Sequence, residues 1–212
     1  TIINKRANII ITCNLSLNNL NYQSLTFFYM HSYDSLNCLL FYVKITHLFL
    51  RSLLMQKIYL AGPEVFLPNA LEIGASHKLL CQKYGYEGLF PLDNTISGNN
   101  PADVATAIRL ANQAMIYECD IVIANLSPFR GPEPDSGTVW EVGFAQGLGK
   151  RVLAYSTDLR TLKEKTQAIL HLGDAHCDTS GMVIEDFGLT HNLMFAHCVV
   201  TSNFEACLRL LK

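Results

Sequence analysis

The sequence predicts a flavodoxin-like, doubly wound α/β fold: a five-stranded parallel sheet in a three-layer α/β/α arrangement. Three observations carry this expectation. From Met55 onward, short β-rich runs alternate with stretches of helical spacing. Glycine and proline punctuate the boundaries between them. The two most unusual loops, Gly62 to Pro68 and Ser127 to Ser136, follow the first and third strands, where strand order reverses in such a sheet and ligands bind. With 212 residues, 50% of them hydrophobic and 16% charged, the chain has material for one sizeable core and is neither disordered nor collagen-like.

Taken in order, Lys57 to Ala61 is the first strand, stopped by Gly62-Pro63. A helix is expected from about Leu71 to Tyr84, ended by Gly85. Tyr86 to Phe90 is the second strand, followed by a long polar loop through Pro91-Leu-Asp-Asn and Ser97-Gly-Asn-Asn-Pro101. In the helix predicted over Asp103 to Tyr117, Val104, Ile108, Ala111 and Met115 fall at helical spacing, Asp103 serves as N-cap and Asn112 sits near the apolar face. Asp120 to Leu126 is the third strand, and three prolines shape the loop after it. The remaining elements are a helix over Gly137 to Leu148, a strand over Arg151 to Tyr155, a helix over Leu159 to Leu170, a strand over Cys198 to Thr201 and a closing helix over Phe204 to Leu211.

Residues 1 to 54 differ in kind. They contain no Gly, Pro or Glu and a single Ala, and their formal charge is +3, against -5 for the remainder. Leu36 to Leu54 is apolar, but Lys44, His47 and Arg51 interrupt it, and each charge at the centre of a bilayer costs about 2.5–3.5 kcal/mol. No small-residue cleavage site marks a signal peptide. The expectation is a non-domain extension over 1–54, with Met55 as the natural start and the preceding residues as flanking sequence carried into the reading frame, and a single domain over 55–212.

The formal net charge of -2 gives no electrostatic case for nucleic acid or an anionic membrane as partner. Seven cysteines without a Cys-x-x-Cys pair read as reduced thiols, which points to the cytoplasm. Gly147-Leu-Gly-Lys150 lacks the spacing of a P-loop, and no Gly-x-Gly-x-x-Gly or Gly-x-Ser-x-Gly occurs. His171, Asp174, His176, Cys177 and Asp178 match no zinc pattern, so neither a metal nor another cofactor is expected. His77, His191 and His197 are expected on the surface or in structural roles.

Chemistry concentrates in Pro134-Asp-Ser-Gly-Thr-Val-Trp-Glu-Val-Gly-Phe-Ala145. Its carboxylates, Asp135 and Glu141, stand six positions apart. One reading divides labour: the helix N-terminus favours an ionised, nucleophilic Glu141, while Asp135 holds or passes a proton, as in retaining glycosyl transfer. The other is structural. Thr138-Val-Trp-Glu141 is also a capping box, and Asp135 can simply cap the helix. The motif alone leaves both open.

Four segments, in order, resemble the nucleoside 2-deoxyribosyltransferases: Lys57-Ile-Tyr-Leu-Ala-Gly-Pro-Glu-Val-Phe66, the stretch Asp120 to Thr138 containing Ser-Pro-Phe-Arg-Gly-Pro-Glu-Pro-Asp, Glu141-Val-Gly-Phe-Ala145 and Phe187-Gly-Leu-Thr-His-Asn-Leu-Met194. The resemblance runs from about Met55 to the C-terminus. It implies exchange of the base of a 2'-deoxyribonucleoside for a free purine or pyrimidine, with no cofactor. By position Glu141 resembles the family's nucleophile, Asp135 its proton-handling residue and Tyr59 the tyrosine that orients the nucleophile. Asn192 matches an asparagine inserted into a neighbouring subunit's site, which implies a homo-oligomer. Phe66 is expected to wall the base pocket, with Gly62, Asp93, Asn94, Asn112 and Arg130 as further substrate-binding positions. Some members carry aspartate where Asn112 stands, and Asn112 can hydrogen-bond a substrate without supplying a carboxylate.

Two other functions fit the same fold. An N-hydrolase of 2'-deoxynucleoside 5'-monophosphates needs a phosphate cradle, for which Ala61-Gly-Pro-Glu-Val supplies only Gly62, since Pro63 lacks an N–H and Glu64 repels. Gly137-Thr138 before Glu141 also resembles part of the signature of cytokinin-type phosphoribohydrolases, without its preceding glycines. A non-catalytic nucleoside-binding module is the third possibility.

Overall fold

A computed structural model describes residues 55–212; the first 54 residues, with the apolar Leu36 to Leu54 stretch, lie outside the described residues. Strands and helices alternate as β1 (Lys57–Ala61), α1 (Ala70–Tyr84), β2 (Glu87–Leu89), α2 (Pro101–Glu118), β3 (Ile121–Asn125), α3 (Ser136–Gly147), β4 (Arg151–Tyr155), α4 (Leu162–Ile169), β5 (Val199–Thr201) and α5 (Phe204–Arg209). Every strand pair is parallel and the order is β2-β1-β3-β4-β5, the flavodoxin-like arrangement.

Burial on both faces explains why the central strands are nearly continuous apolar runs. Alternation along each strand sends its side chains to two separate cores. Tyr59, Ala61, Val122, Ala124 and Ala154 pack with Met115 and Ile116 of α2 and Val142 and Ala145 of α3. On the other face Ile58, Leu60, Ile121, Ile123, Leu153 and Tyr155 pack with Cys81 of α1 and Phe204, Cys207 and Leu208 of α5. This pleat directs Tyr59 toward the layer that carries Glu141.

Helix starts depart from the sequence expectation, and each departure has a local cause. Asn100, not Asp103, caps α2: its Oδ1 accepts the Asp103 N–H at 3.0 Å, and Pro101 occupies the first turn, where no donor is needed. The expected apolar stripe of α2 is only partly buried. Met115 and Ile116 are the buried residues of that helix, while Ile108 is 43% exposed. At α4, Thr161 and Glu164 form a capping box, so the helix begins at Leu162 rather than Leu159. The chain just before it is held by Asp158, which binds the Arg160 guanidinium and N–H.

The loops after β1 and β3 leave neighbouring strands from the same edge of the sheet. Gly62 opens the first of these loops under a steric constraint. A Cβ there would lie 2.0 Å from Glu64 Oε2 and 3.0 Å from Asn125 Cβ. Gly62→Ala is therefore expected to cost about 1–3 kcal/mol by overpacking, read as a lower melting temperature in a calorimetric scan. Among the described residues, no helix is long and apolar enough to cross a membrane.

Candidate active site

Three elements converge on one carboxyl group. Tyr59, in the middle of β1, donates its hydroxyl hydrogen to Glu141 Oε1 at 2.6 Å across 82 positions of sequence. Asn112 of α2 donates from Nδ2 to the same oxygen at 3.2 Å. Glu141, the sixth residue of α3, is 9% exposed. Both donors fall on Oε1. Oε2 receives no hydrogen bond from the described residues and is not fully buried.

The capping-box reading of Thr138 and Glu141 does not hold, because Glu141 bonds side chains and not its own helix backbone. Asp135 is the cap of α3, its Oδ2 accepting the Thr138 N–H at 2.9 Å and the Thr138 hydroxyl at 3.0 Å. Electrostatics at Glu141 also differ from the expected stabilisation by the helix end. Its side chain lies beyond the first turn, where that influence fades. Burial pushes its pKa up from 4.5 to about 7; the bonds from Tyr59 and Asn112 pull it down, and the charge of Asp135 adds to the rise. Burial, and then the Glu141 charge, hold Tyr59 protonated, so it remains a donor.

Asn112 is left with a buried Oδ1 that has no partner among the described residues. An ionised Glu141 requires the amide nitrogen to face it, which turns the carbonyl oxygen away. That oxygen is an acceptor in want of a donor.

The loops after β1 and β3 meet in an aromatic rim. Phe66, 59% exposed, stacks on Phe129 with ring centroids 5.4 Å apart. The Arg130 guanidinium lies 4.7 Å from the Phe129 centroid and 5.7 Å from that of Phe66, bridging the loops after β1 and β3. Arg130 has a φ of 56°, a left-handed conformation uncommon outside glycine.

Among the described residues, the other sequence-derived positions make no hydrogen bond to Glu141. Asp93 accepts the Phe90 N–H at 2.9 Å and pairs with Lys78. Asn94 is exposed. Asn192 donates to Glu185 Oε2 at 2.8 Å and accepts the Met194 N–H at 3.0 Å. His191 is buried, its Nε2 donating to the Leu126 carbonyl at 2.8 Å.

Sequence reasoning missed Glu64 as a structured group. It is 9% exposed and its Oε1 accepts from the Tyr155 hydroxyl and from Asn125 Nδ2, both at 2.6 Å. The signal was present: a glutamate enclosed in an apolar turn, and a second tyrosine at a strand end. Burial and the Glu64 charge keep Tyr155 protonated.

Residues 58–194 match the family described as nucleoside 2-deoxyribosyltransferase. The chain belongs to that family. The nucleoside 2-deoxyribosyltransferase fold is shared with the solved 2-deoxyribosyltransferase of Leishmania mexicana, 39% identical with a TM-score of 0.62, covering 74% of this chain and 96% of that one. An uncharacterised protein of Schizosaccharomyces pombe is 31% identical over 155 residues, 65% of this chain and 74% of its own length. A conserved protein of Enterococcus faecalis, 23% identical with a TM-score of 0.50 over 73% of this chain and 96% of its own, has the same fold. Family and structural neighbour together indicate nucleoside deoxyribosyltransferase-type activity for this nucleoside 2-deoxyribosyltransferase homologue, a glycosyl-handling enzyme.

Proposed function

We propose that the protein transfers 2-deoxyribose between purine or pyrimidine bases through a covalent glycosyl-enzyme on Glu141, with retention at C1'. One observation carries this reading: Glu141 has one oxygen held by two donors, while the other takes no hydrogen bond from the described residues and is not fully buried. Oε2 attacks C1' as the bond from C1' to the base nitrogen breaks, and the base leaves with that electron pair. Asp135, whose Oδ1 takes no hydrogen bond from the described residues, supplies the proton the departing base requires. Positive charge on the sugar ring in the transition state is met by the Glu141 carboxylate. In the second half, a nitrogen of the incoming base attacks C1', the ester bond to Oε2 breaks, and Asp135 recovers the proton. Two inversions at one carbon restore the β configuration.

Throughout, Tyr59 and Asn112 stay on Oε1, as donors to a carboxylate oxygen before attack and to an ester carbonyl oxygen after it. Phe66, Phe129 and Arg130 are the surfaces available to a flat base, and the free Oδ1 of Asn112 accepts a hydrogen bond from the substrate. The substrates are 2'-deoxyribonucleosides and free nucleobases, and no cofactor enters the scheme. Asn192 makes its bonds within its own chain to Glu185, and its part in the reaction is to reach a neighbouring protomer's site in a homo-oligomer. The domain comprises residues 55–212 and acts in the cytoplasm, a placement consistent with five free cysteines among the described residues.

The test incubates the protein with 2'-deoxyinosine, with and without adenine, and separates products by chromatography. Formation of 2'-deoxyadenosine and hypoxanthine only when adenine is present is the expected result. Hypoxanthine released at the same rate without adenine replaces transfer by hydrolysis, and binding without turnover leaves only a nucleoside-binding module. Mass spectrometry of protein quenched without acceptor is expected to find one deoxyribosyl group on the peptide containing Glu141.

A further inference from the structure

The reaction scheme makes no use of the second buried carboxylate. Glu64 Oε1 is met by Tyr155 and Asn125, and the bonding continues beyond them. Asn125 Oδ1 accepts the N–H and hydroxyl of Ser127 at 2.9 and 2.6 Å, and Ser127 Oγ accepts the Thr157 N–H at 3.0 Å. The connected groups cross the carboxyl ends of β1, β3 and β4. They tie the turn that carries Phe66 to the start of the loop that leads to Asp135.

Fold stability alone gives little reason for this arrangement. Burying a carboxylate is costly, and well-packed apolar residues often serve a core at least as well. Among the described ion pairs none involves Glu64, so it does not neutralise a cation. What a satisfied buried network does supply is a single arrangement of the segments it joins. Gly62 is fitted to the same network, since any Cβ there would strike Glu64 Oε2.

We propose that Glu64 is a positioning residue: by accepting from Tyr155 and Asn125 it fixes the Gly62 to Phe66 turn on the ends of β3 and β4, so that the Phe66, Phe129 and Arg130 rim is organised before substrate arrives. The proposal rests on the transfer reading above. Glu64 touches no reacting atom in it, and the property required is hydrogen-bond acceptance at Oε1, not charge. Loosening a preorganised rim weakens substrate capture more than it slows bond breaking at C1'.

Steady-state kinetics with 2'-deoxyinosine and adenine, alongside calorimetric titration of 2'-deoxyinosine, separate the alternatives. Glu64→Ala is expected to raise KM for 2'-deoxyinosine about tenfold or more while kcat stays within about threefold. Glu64→Gln, whose Oε1 still accepts both bonds, is expected to return KM to the unsubstituted value. Tyr155→Phe, which keeps the carboxylate and removes one donor, should raise KM by a smaller factor. An unchanged KM in Glu64→Ala, a loss confined to kcat, or failure of Glu64→Gln to rescue overturns the proposal. Should Glu64→Ala not fold, Tyr155→Phe decides, and a normal KM in that variant is fatal. If the unsubstituted protein turns over nothing, the transfer reading falls separately and the titration decides instead. Weaker binding in Glu64→Ala with recovery in Glu64→Gln supports positioning; equal binding, or none by any form, refutes it.

Discussion

Replacing Glu141 with Gln is expected to stop base exchange and, in the same molecule, to make the fold harder to melt at about pH 8. The first effect follows from the chemistry: an amide nitrogen in place of Oε2 has no lone pair fit to displace a base from C1', and loss of such a nucleophile costs about four orders of magnitude or more in rate. The second follows from burial. Glu141 titrates at about 7 in the folded protein against an ordinary 4.5. Between those values the native state holds a proton that the unfolded chain has released, so stability falls as pH rises through the window. Above it, about 3 kcal/mol of stability is missing. Glutamine keeps the acceptor that Tyr59 and Asn112 use and carries no charge at any pH. Calorimetric scans should therefore show Glu141→Gln melting several degrees higher at about pH 8 and close to the parent at about pH 4. Equal melting temperatures at both pH values would mean that Glu141 is not strained by its burial.

A second large effect is expected in the pH dependence of kcat/KM. The attacking oxygen must be ionised in the free enzyme, so kcat/KM should rise tenfold per pH unit on the acid side and level off near pH 7. Tyr59 opposes the upward push of burial by donating to Oε1. Tyr59→Phe removes that donor, which moves the midpoint to higher pH. With a hydrogen bond to a charged group worth about 1.5–3 kcal/mol, the variant should lose about tenfold or more in kcat/KM at pH 6. At about pH 9, where Glu141 is ionised with or without help, most of the deficit should vanish. An equal deficit at both pH values would assign Tyr59 to alignment rather than to ionisation.

Local rules read β1 and β4 to the residue, because each is an apolar run bounded by a turn or a charged start. They misplaced the helix starts because caps compete. Asp103 is a reasonable cap until Asn100 and Pro101, three and two residues earlier, are seen to do the work together. A parallel sheet covered by helices on both faces was legible from the alternation of strand and helix alone. The site was not, in its particulars. Tyr59, Asn112 and Glu141 lie on three elements, and only the sheet register brings β1 beneath α2 and α3. The resemblance named them; spacing could not. Glu64 escaped because a glutamate after a proline in a turn ordinarily faces water, and its partner Tyr155 comes 91 positions later.

The Glu141 carboxyl group, the proposed nucleophile, is gripped by a strand and a helix while itself riding on a second helix, and all three are packed into one interior cluster with Met115, Ile116, Val142 and Ala145. The rim residues proposed to meet the base, Phe66, Phe129 and Arg130, belong to loops outside that cluster. On the transfer reading, a lineage can exchange loop residues and drift toward new heterocycles without retuning the trap for the sugar, whereas an unobtrusive change at Val142 would be felt at the anomeric carbon.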